Sequence, residues 1–493
     1  MCGHNPGPMN TQKVQERKKV LLVSQSFFPE SVGGTEYYTL ALARGLVDRG
    51  WDVAIVSAAR DLARQRYEVW RDNYEGIPVI RINNPPEFYT KFEEYFVDDT
   101  VEGIFDKIVR TEKPDLVHFQ HTAYLSSRLP EIVHRLDVPS VLTLHDYWYM
   151  CHRTKLLRPS EGICPGPSEG ARCETCYDPE RPNQSGVSRF PLLNRLIQTR
   201  IMRSLDLGAS LSPGLKQKLK KVLYRKASAP SPATGGAARY GPSPILPGIS
   251  VHASRIRFMK RQLTFPEVVI SPSLHLKKRY EAEGFREILF LPHGFAQREE
   301  VASAPFDGRL VLAYLGNITP EKGADVLLRE LKYVRRRQNV ALLFLGNMPD
   351  PVYQKHLETL AKGYPEAEIL FRGGYKGREE LKKILTGVHV AVFPSVWEEN
   401  NPLVIGEALS LGLPVICSSL GGAPEVIEEG INGLVFDPYK EGELGSRINL
   451  ILDDPGLLKT LTTGAKTTRI ETIEEHMKKI VGIYEEAVRT MRG

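Results

Sequence analysis

Phe393-Pro394-Ser395-Val396-Trp397-Glu398-Glu399-Asn400-Asn401-Pro402-Leu403-Val404-Ile405-Gly406-Glu407 joins two kinds of backbone within fifteen residues. The apolar run leading into it, Val388 to Phe393, is short and interrupted only by His389, the pattern of a strand buried on both faces. Pro402 suits the first turn of a helix, and Gly412 followed by Pro414 suits its end. Two acids therefore take different places: Glu399 on the strand-to-helix loop, Glu407 about one turn into the helix. In an open α/β sheet such a loop lies over the carboxyl ends of the strands, where ligands bind. The helix start adds unpaired N–H groups and the positive end of a dipole. Carboxylates beside those N–H groups suit a ligand with both hydroxylated and anionic parts, and a nucleotide sugar has both.

Working outward, the 493 residues suit two large domains or three small ones, and a 42% hydrophobic composition is ample for two cores. No apolar run reaches the roughly eighteen residues a spanning helix needs. Residues 1–18 are polar and basic without an apolar centre. They read as a disordered lead-in and not a secretory signal, which places the chain in the cytoplasm.

The first half alternates strand and helix. Val20 to Ser24, Val53 to Ser57, Asp115 to Phe119, Ser140 to Leu144 and Val268 to Ser273 read as strands, and the alternation predicts a parallel, doubly wound sheet. Gly33-Gly34 follows the first strand and precedes a helix over Tyr37 to Asp48, with Thr35 expected as its N-cap. Strand, glycine turn and helix start form a place where N–H groups face an anion. His145 follows the strand Ser140 to Leu144 directly, where an imidazole titrating near neutrality meets a ligand or pins its own loop. His118 and His121, near the end of the preceding strand, read as cleft-wall or acceptor contacts.

Cys151, Cys164, Cys173 and Cys176 cluster in a Gly/Pro-rich insertion spanning about 151–180. In a cytoplasmic chain, four clustered cysteines ending in C-x-x-C suggest a tetrahedral structural zinc; free thiols or an iron–sulfur site are the other readings. A second insertion, about 207–266, holds eleven Lys or Arg and no Asp or Glu, and its Pro/Ala/Ser/Gly-rich middle reads as a flexible loop. Such a patch attracts an anionic membrane surface or a phosphorylated acceptor, or is simply solvated. Without interleaved aromatics or a known motif it is not a nucleic-acid site.

In the second half, Leu310 to Leu315, Ala341 to Leu345 and Ile369 to Phe371 read as strands. Gly316 to Gly323 forms the loop after the first of them, and a long helix over about 471–493 ends the chain. Pro394-Ser395, then Glu399-x7-Glu407-Ala408, then Gly412-x-Pro414-Val415, then Gly421-Gly422-x-Pro424-Glu425 resembles the signature of GT4-type retaining glycosyltransferases of group 1. That resemblance implies the α/β GT-B fold: two doubly wound Rossmann-like domains facing a central cleft. It places an acceptor domain at 19–292, a nucleotide-sugar domain at 293–470 and a last helix, 471–493, crossing back to the first domain.

The resemblance also implies roles. Lys322 neutralises the leaving diphosphate, with Asn317 standing where similar enzymes carry Arg. Glu399 holds hydroxyls of the donor sugar, Glu407 the ribose, and His145 the sugar from the other domain. Gly33 and Gly34 face the pyrophosphate and acceptor. Arg372 begins the segment that holds the base, the backbone from Asn401 through Pro402 and Leu403 to Val404 faces sugar and phosphate, and Gly422 opens a second anion-binding turn. The implied chemistry is metal-independent transfer of a hexose from a UDP- or GDP-linked donor to a glycan, lipid-linked or small-molecule acceptor. The chain would work in the cytoplasm or at the inner membrane face. A catalytically silent nucleotide-sugar-binding partner and a GT-B sugar-nucleotide epimerase are the alternatives.

Overall fold

The computed structural model describes residues 17–158, 161–176, 243–302 and 305–492. The first sheet is built from β1 (Lys19–Ser24), β2 (Asp52–Ala59), β3 (Val69–Tyr74), β4 (Ile77–Asn83), β5 (Leu116–Phe119) and β6 (Ser140–Thr143). A small hairpin follows, β7 (Leu157–Arg158) with β8 (Gly162–Ile163), and β9 (Val268–Ser271) and β10 (Leu289–Phe290) complete the sheet. The order is β10-β9-β6-β5-β1-β2-β4-β3, parallel throughout except for the β3–β4 pair. The β3–β4 hairpin and the two-residue edge strand β10 add to the expected strands.

The second sheet runs through β11 (Leu310–Leu315), β12 (Val340–Leu345), β13 (Glu368–Arg372), β14 (Val390–Phe393), β15 (Val415–Ser418) and β16 (Gly433–Phe436). Its order, β13-β12-β11-β14-β15-β16, is wholly parallel. The chain leaves β11 in one direction and returns through β14 on its other side. The loops after these two strands thus meet at the topological switch point, where such sheets bind ligands.

Several helices start where the local chemistry dictates. Asp98 accepts from the N–H groups of Thr100 and Val101, and Ser273 from Leu276 N–H, each satisfying a donor the helix leaves free. The last helix, Ile473–Arg492, packs on the first sheet and its first helix, and the reason is an apolar stripe. Met477, Ile480, Tyr484 and Ala487 recur at helical spacing and are buried among Val20, Leu22, Trp51 and Val53.

Three local expectations need correction. The helix after Gly33-Gly34 begins at Gly34, so Thr35 lies inside its first turn and does not cap it. Gly421-Gly422 is followed by a four-residue 3₁₀ turn, Ala423–Val426, and not by an α-helix. Residues 207–242 of the basic insertion lie outside the described residues, but its end is ordered core. Ser250 caps the helix Val251–Gln262, which buries Ile256, Phe258, Met259 and even Arg255. Its spacing of apolar residues, masked by the surrounding charge, was the signal of a packed helix.

Candidate functional site

At the switch point of the second sheet, the β11 and β14 loops are pressed together. Gly323 adopts φ +73°, and a Cβ there would stand 1.8 Å from Pro394 O, so only glycine lets the loops approach this closely. The contact sets Lys322 Nζ 2.5 Å from Glu399 Oε1. The same oxygen accepts from Trp397 Nε1–H at 2.8 Å and from Ser395 Oγ–H at 3.2 Å. Glu399 is buried, and its charge is held by an ammonium and two neutral donors. The two residues expected to act on the donor are thus brought together, and each is the other's partner.

Glu407 lies on the Leu403–Ser410 helix, half-buried, with Tyr375 Oη–H donating to its Oε2 at 3.4 Å. Burial raises its carboxyl, while Tyr375 and the nearby Arg378 oppose that shift. Tyr37 of the first domain faces the same carboxylate: burial and then the Glu407 charge raise its phenol. Gly34 sits against the helix start, since a Cβ there would stand 3.9 Å from Leu403 Cδ1. The Gly33-Gly34 turn and the Leu403 helix therefore oppose one another across the seam between domains. Asn317 and Arg372, at the carboxyl ends of β11 and β13, are both exposed.

The loop between Glu399 and the helix is spent largely on joining the domains. Asn400 Nδ2–H donates to Leu144 O at 3.0 Å, and Ser273 Oγ–H donates to Asn400 Oδ1 at 2.6 Å. Asn401 Nδ2–H donates to Pro272 O at 2.7 Å, so this side chain is a bridge. Gly421 (φ +67°) and Gly422 let a neighbouring loop lie directly on this one: their Cβ atoms would meet Glu399 O at 2.2 Å and Asn400 O at 1.8 Å. Gly422 N–H donates to Glu399 O at 2.7 Å. The anion-binding turn expected at Gly422 is a packing device whose N–H is already used.

The first-domain wall is made of neutral rings and amides. His145 Nε2 pairs with Gln120 Oε1 at 2.9 Å, and its ring lies 5.2 Å from Tyr38 and 5.6 Å from His293. Tyr38 Oη pairs with His476 Nε2 at 2.9 Å. Burial pushes the His145 imidazolium down to about 3, His121 adds repulsion and Asp146 opposes it. His145 is therefore neutral at physiological pH, a correction to the expectation that it titrates near neutrality. His118 is no cleft contact. Fully buried, it bonds Tyr484 Oη at 2.7 Å and Thr143 Oγ at 2.8 Å, fixing the last helix. His121 bonds Asp146 at 3.2 Å. Tyr38, Gln120 and His476 are not marked by the sequence, because no local motif joins such separated positions, and His293 stands where similar enzymes carry Asn.

Two family models match the chain. "Glycosyl transferases group 1" covers residues 296–468 and "Glycosyltransferase Family 4" covers residues 32–221. An uncharacterized glycosyltransferase of Methanocaldococcus jannaschii is 27% identical over 187 residues, 38% of this chain and 47% of that protein. The alpha-D-kanosaminyltransferase of Streptomyces kanamyceticus is 25% identical over 160 residues, 32% of this chain and 40% of that protein. The chain thus spans about half or less of the length of these curated relatives. Among solved structures, sucrose-phosphate synthase from Thermosynechococcus elongatus aligns with a TM-score of 0.62 at 17% identity, covering 96% of this chain and all of that one. Anabaena HepE in complex with UDP aligns at 0.60 and 16% identity, covering 95% of this chain and 100% of that chain. These likenesses establish the GT-B fold.

Proposed function

We propose, from the premise that the chain belongs to the group 1, family 4 glycosyltransferases, that it is a retaining, metal-independent hexosyltransferase with a UDP- or GDP-linked donor. The observation that carries this reading is the meeting of Lys322 and Glu399 at the switch point, with Glu407 one helical turn beyond. Departure of a nucleoside diphosphate needs charge stabilisation more than it needs a strong acid. Lys322 supplies a point charge, and the start of the Leu403–Ser410 helix supplies N–H groups. The donor parts the Lys322–Glu399 pair, placing diphosphate on the ammonium and sugar hydroxyls on the carboxylate. Glu407 takes the ribose, with Tyr375 and Tyr37 beside it.

Gly33 and Gly34 close the donor site from the first domain. Asn317 and Arg372 edge the nucleotide end, and the backbone from Asn401 to Val404 faces the sugar. His145, held neutral, offers a hydrogen bond to the transferred sugar and no charge. The bridges through Asn400 and Asn401 support a closed seam that excludes water and limits donor hydrolysis. A nucleotide donor is further supported by HepE, which was solved with UDP. The acceptor is a glycan, a lipid-linked sugar or a small molecule. No helix among the described residues is long and apolar enough to cross a membrane. Peripheral contact with the inner membrane face is assigned to the basic stretch, by its charge.

The test is transfer itself. The chain is incubated with labelled UDP- and GDP-hexoses and an acceptor panel, and the anomeric configuration of the product is read by NMR. Transfer with the donor's configuration preserved is expected. An inverted product contradicts the retaining assignment, and conversion of the donor without any acceptor contradicts transfer.

A further inference from the structure

Four thiols spread over 26 positions of sequence share one small space beside the seam. Cys151 and Cys164 are buried and Cys173 and Cys176 half-buried; none forms a disulfide, and all four line a cavity of about 10 Å3. That is room for one atom and not for an iron–sulfur cluster. The fold delivers each sulfur separately. A tight turn follows Cys151, with Thr154 N–H donating to Cys151 O at 3.0 Å, and the N–H groups of Arg153 and Leu156 face the Cys151 sulfur. The β7–β8 hairpin returns the chain so that Cys164 N–H donates to Leu156 O at 2.7 Å. The short helix Ala171–Cys176 carries Cys173 and Cys176 three residues apart, on one face.

The surrounding charge calls for an anion. Arg255 is 2% exposed, and the principal acidic groups around it are Cys151, Cys173, Tyr95 and Tyr280, with no carboxylate among them. One of its amino groups donates to Trp148 O at 2.5 Å, and its Nε has no hydrogen-bond partner. Arg153 and Arg158 also lie near Cys176, and Arg158 is paired with Glu161. A buried guanidinium without counter-charge is costly, and neutral thiols do not supply one.

We propose that Cys151, Cys164, Cys173 and Cys176 bind a single zinc ion as a tetrahedral tetrathiolate. Each thiol gives its proton to solvent, and the resulting centre, with a net charge of about −2, supplies a counter-charge beside Arg255. In the arrangement described, no group of three or more His, Cys, Asp or Glu among the described residues is gathered so as to hold an ion. Binding therefore draws the Ala171–Cys176 helix inward and closes the cavity. With four protein ligands the ion has no open position, and its role is structural.

What it stiffens is a strap between domains. Lys155, between Cys151 and Cys164, pairs with Glu321, the neighbour of Lys322. Arg279 donates to Cys164 O at 2.8 Å and pairs with Glu398, the neighbour of Glu399, at 3.2 Å. The centre thus anchors a first-domain loop to both second-domain loops at the switch point, whatever donor they take.

The test uses the full chain, purified under reducing conditions without chelator. Elemental analysis is expected to find one zinc per chain. Exchange into cobalt is expected to give thiolate charge-transfer and tetrahedral d–d bands. Cys173→Ser is expected to lower cobalt affinity more than tenfold, while Lys155→Ala keeps its full metal content. Should Cys173→Ser prove insoluble, zinc released from the wild-type chain by a thiol-modifying reagent, followed with a chromogenic chelator, reads the same site. Four thiols that react freely in a chain taking up no metal would overturn the proposal. So would a native Cys173–Cys176 disulfide, a cobalt spectrum without the thiolate band, or an iron- and sulfide-containing chromophore.

Discussion

At the seam the second domain presents Lys322, Glu399 and Glu407 on two loops and a helix, whereas the first presents His145, Gln120 and Tyr38, a set without net charge. The difference follows from environment. The second-domain ions sit at a switch point where one acid meets one base and two neutral donors. The first-domain rings are stacked on His293 and the last helix, and burial removes their charge. Under the proposed function, the unpaired demand of an anionic leaving group falls on Lys322, since the first-domain cations Lys155 and Arg279 are already paired with Glu321 and Glu398.

Substitutions can break or sharpen that contrast. Lys322→Met removes the ammonium and is expected to lower turnover by roughly a hundredfold, the scale of losing one well-placed electrostatic group. His145→Gln, which keeps a neutral hydrogen-bonding side chain, should cost far less. Comparable losses in steady-state turnover would erase the distinction between the walls. Glu407→Ala is expected to weaken donor binding by about 1–3 kcal/mol, measured by calorimetric titration. Unchanged affinity would remove the ribose assignment.

Asn400→Ala breaks two bridges in the buried seam, to Leu144 O and Ser273 Oγ, and is expected to cost about 1–2 kcal/mol of unfolding free energy in urea. Glu425→Ala, at the exposed edge of the same seam, should cost less than about 1 kcal/mol. Equal costs would mean that the seam is no more desolvated at its centre than at its rim.

A further effect is one of pH. His145 is held down to about 3, His476 to about 4, and His118 and His293 well below their ordinary value, all chiefly by burial. Below about pH 6.5 the unfolded chain takes up protons that the folded one refuses, so stability is full above that pH and falls as pH drops toward 4. The unfolding temperature is expected to fall by several degrees between pH 7 and pH 5, and less steeply in His293→Asn. An identical slope in that variant would show that the stacked rings are not the cause.

The same contrast explains what was legible beforehand. The charged wall is written in contiguous stretches: a strand, its loop and the next helix carry Glu399 and Glu407, and Lys322 sits in a loop of recognisable length. The neutral wall is assembled from separated positions, and the Tyr484 hydroxyl that occupies His118 comes from 366 residues away. Local chemistry also misled where tertiary packing overrode it. Gly421 and Gly422 read as an anion-binding turn but serve close backbone approach, and the charge-rich run ending at Pro266 concealed the buried helix Val251–Gln262.

The most direct test of the central claim is thermal unfolding of the chain with a panel of nucleotide sugars and free nucleoside diphosphates. A ligand at a hundred times its dissociation constant adds about 2.7 kcal/mol of stability. One UDP- or GDP-linked hexose is expected to raise the transition, and Glu407→Ala and Lys322→Met are each expected to shrink the shift. No shift with any nucleotide sugar, or a shift that both substitutions leave unchanged, would contradict the placement of the donor at the Lys322–Glu399 junction.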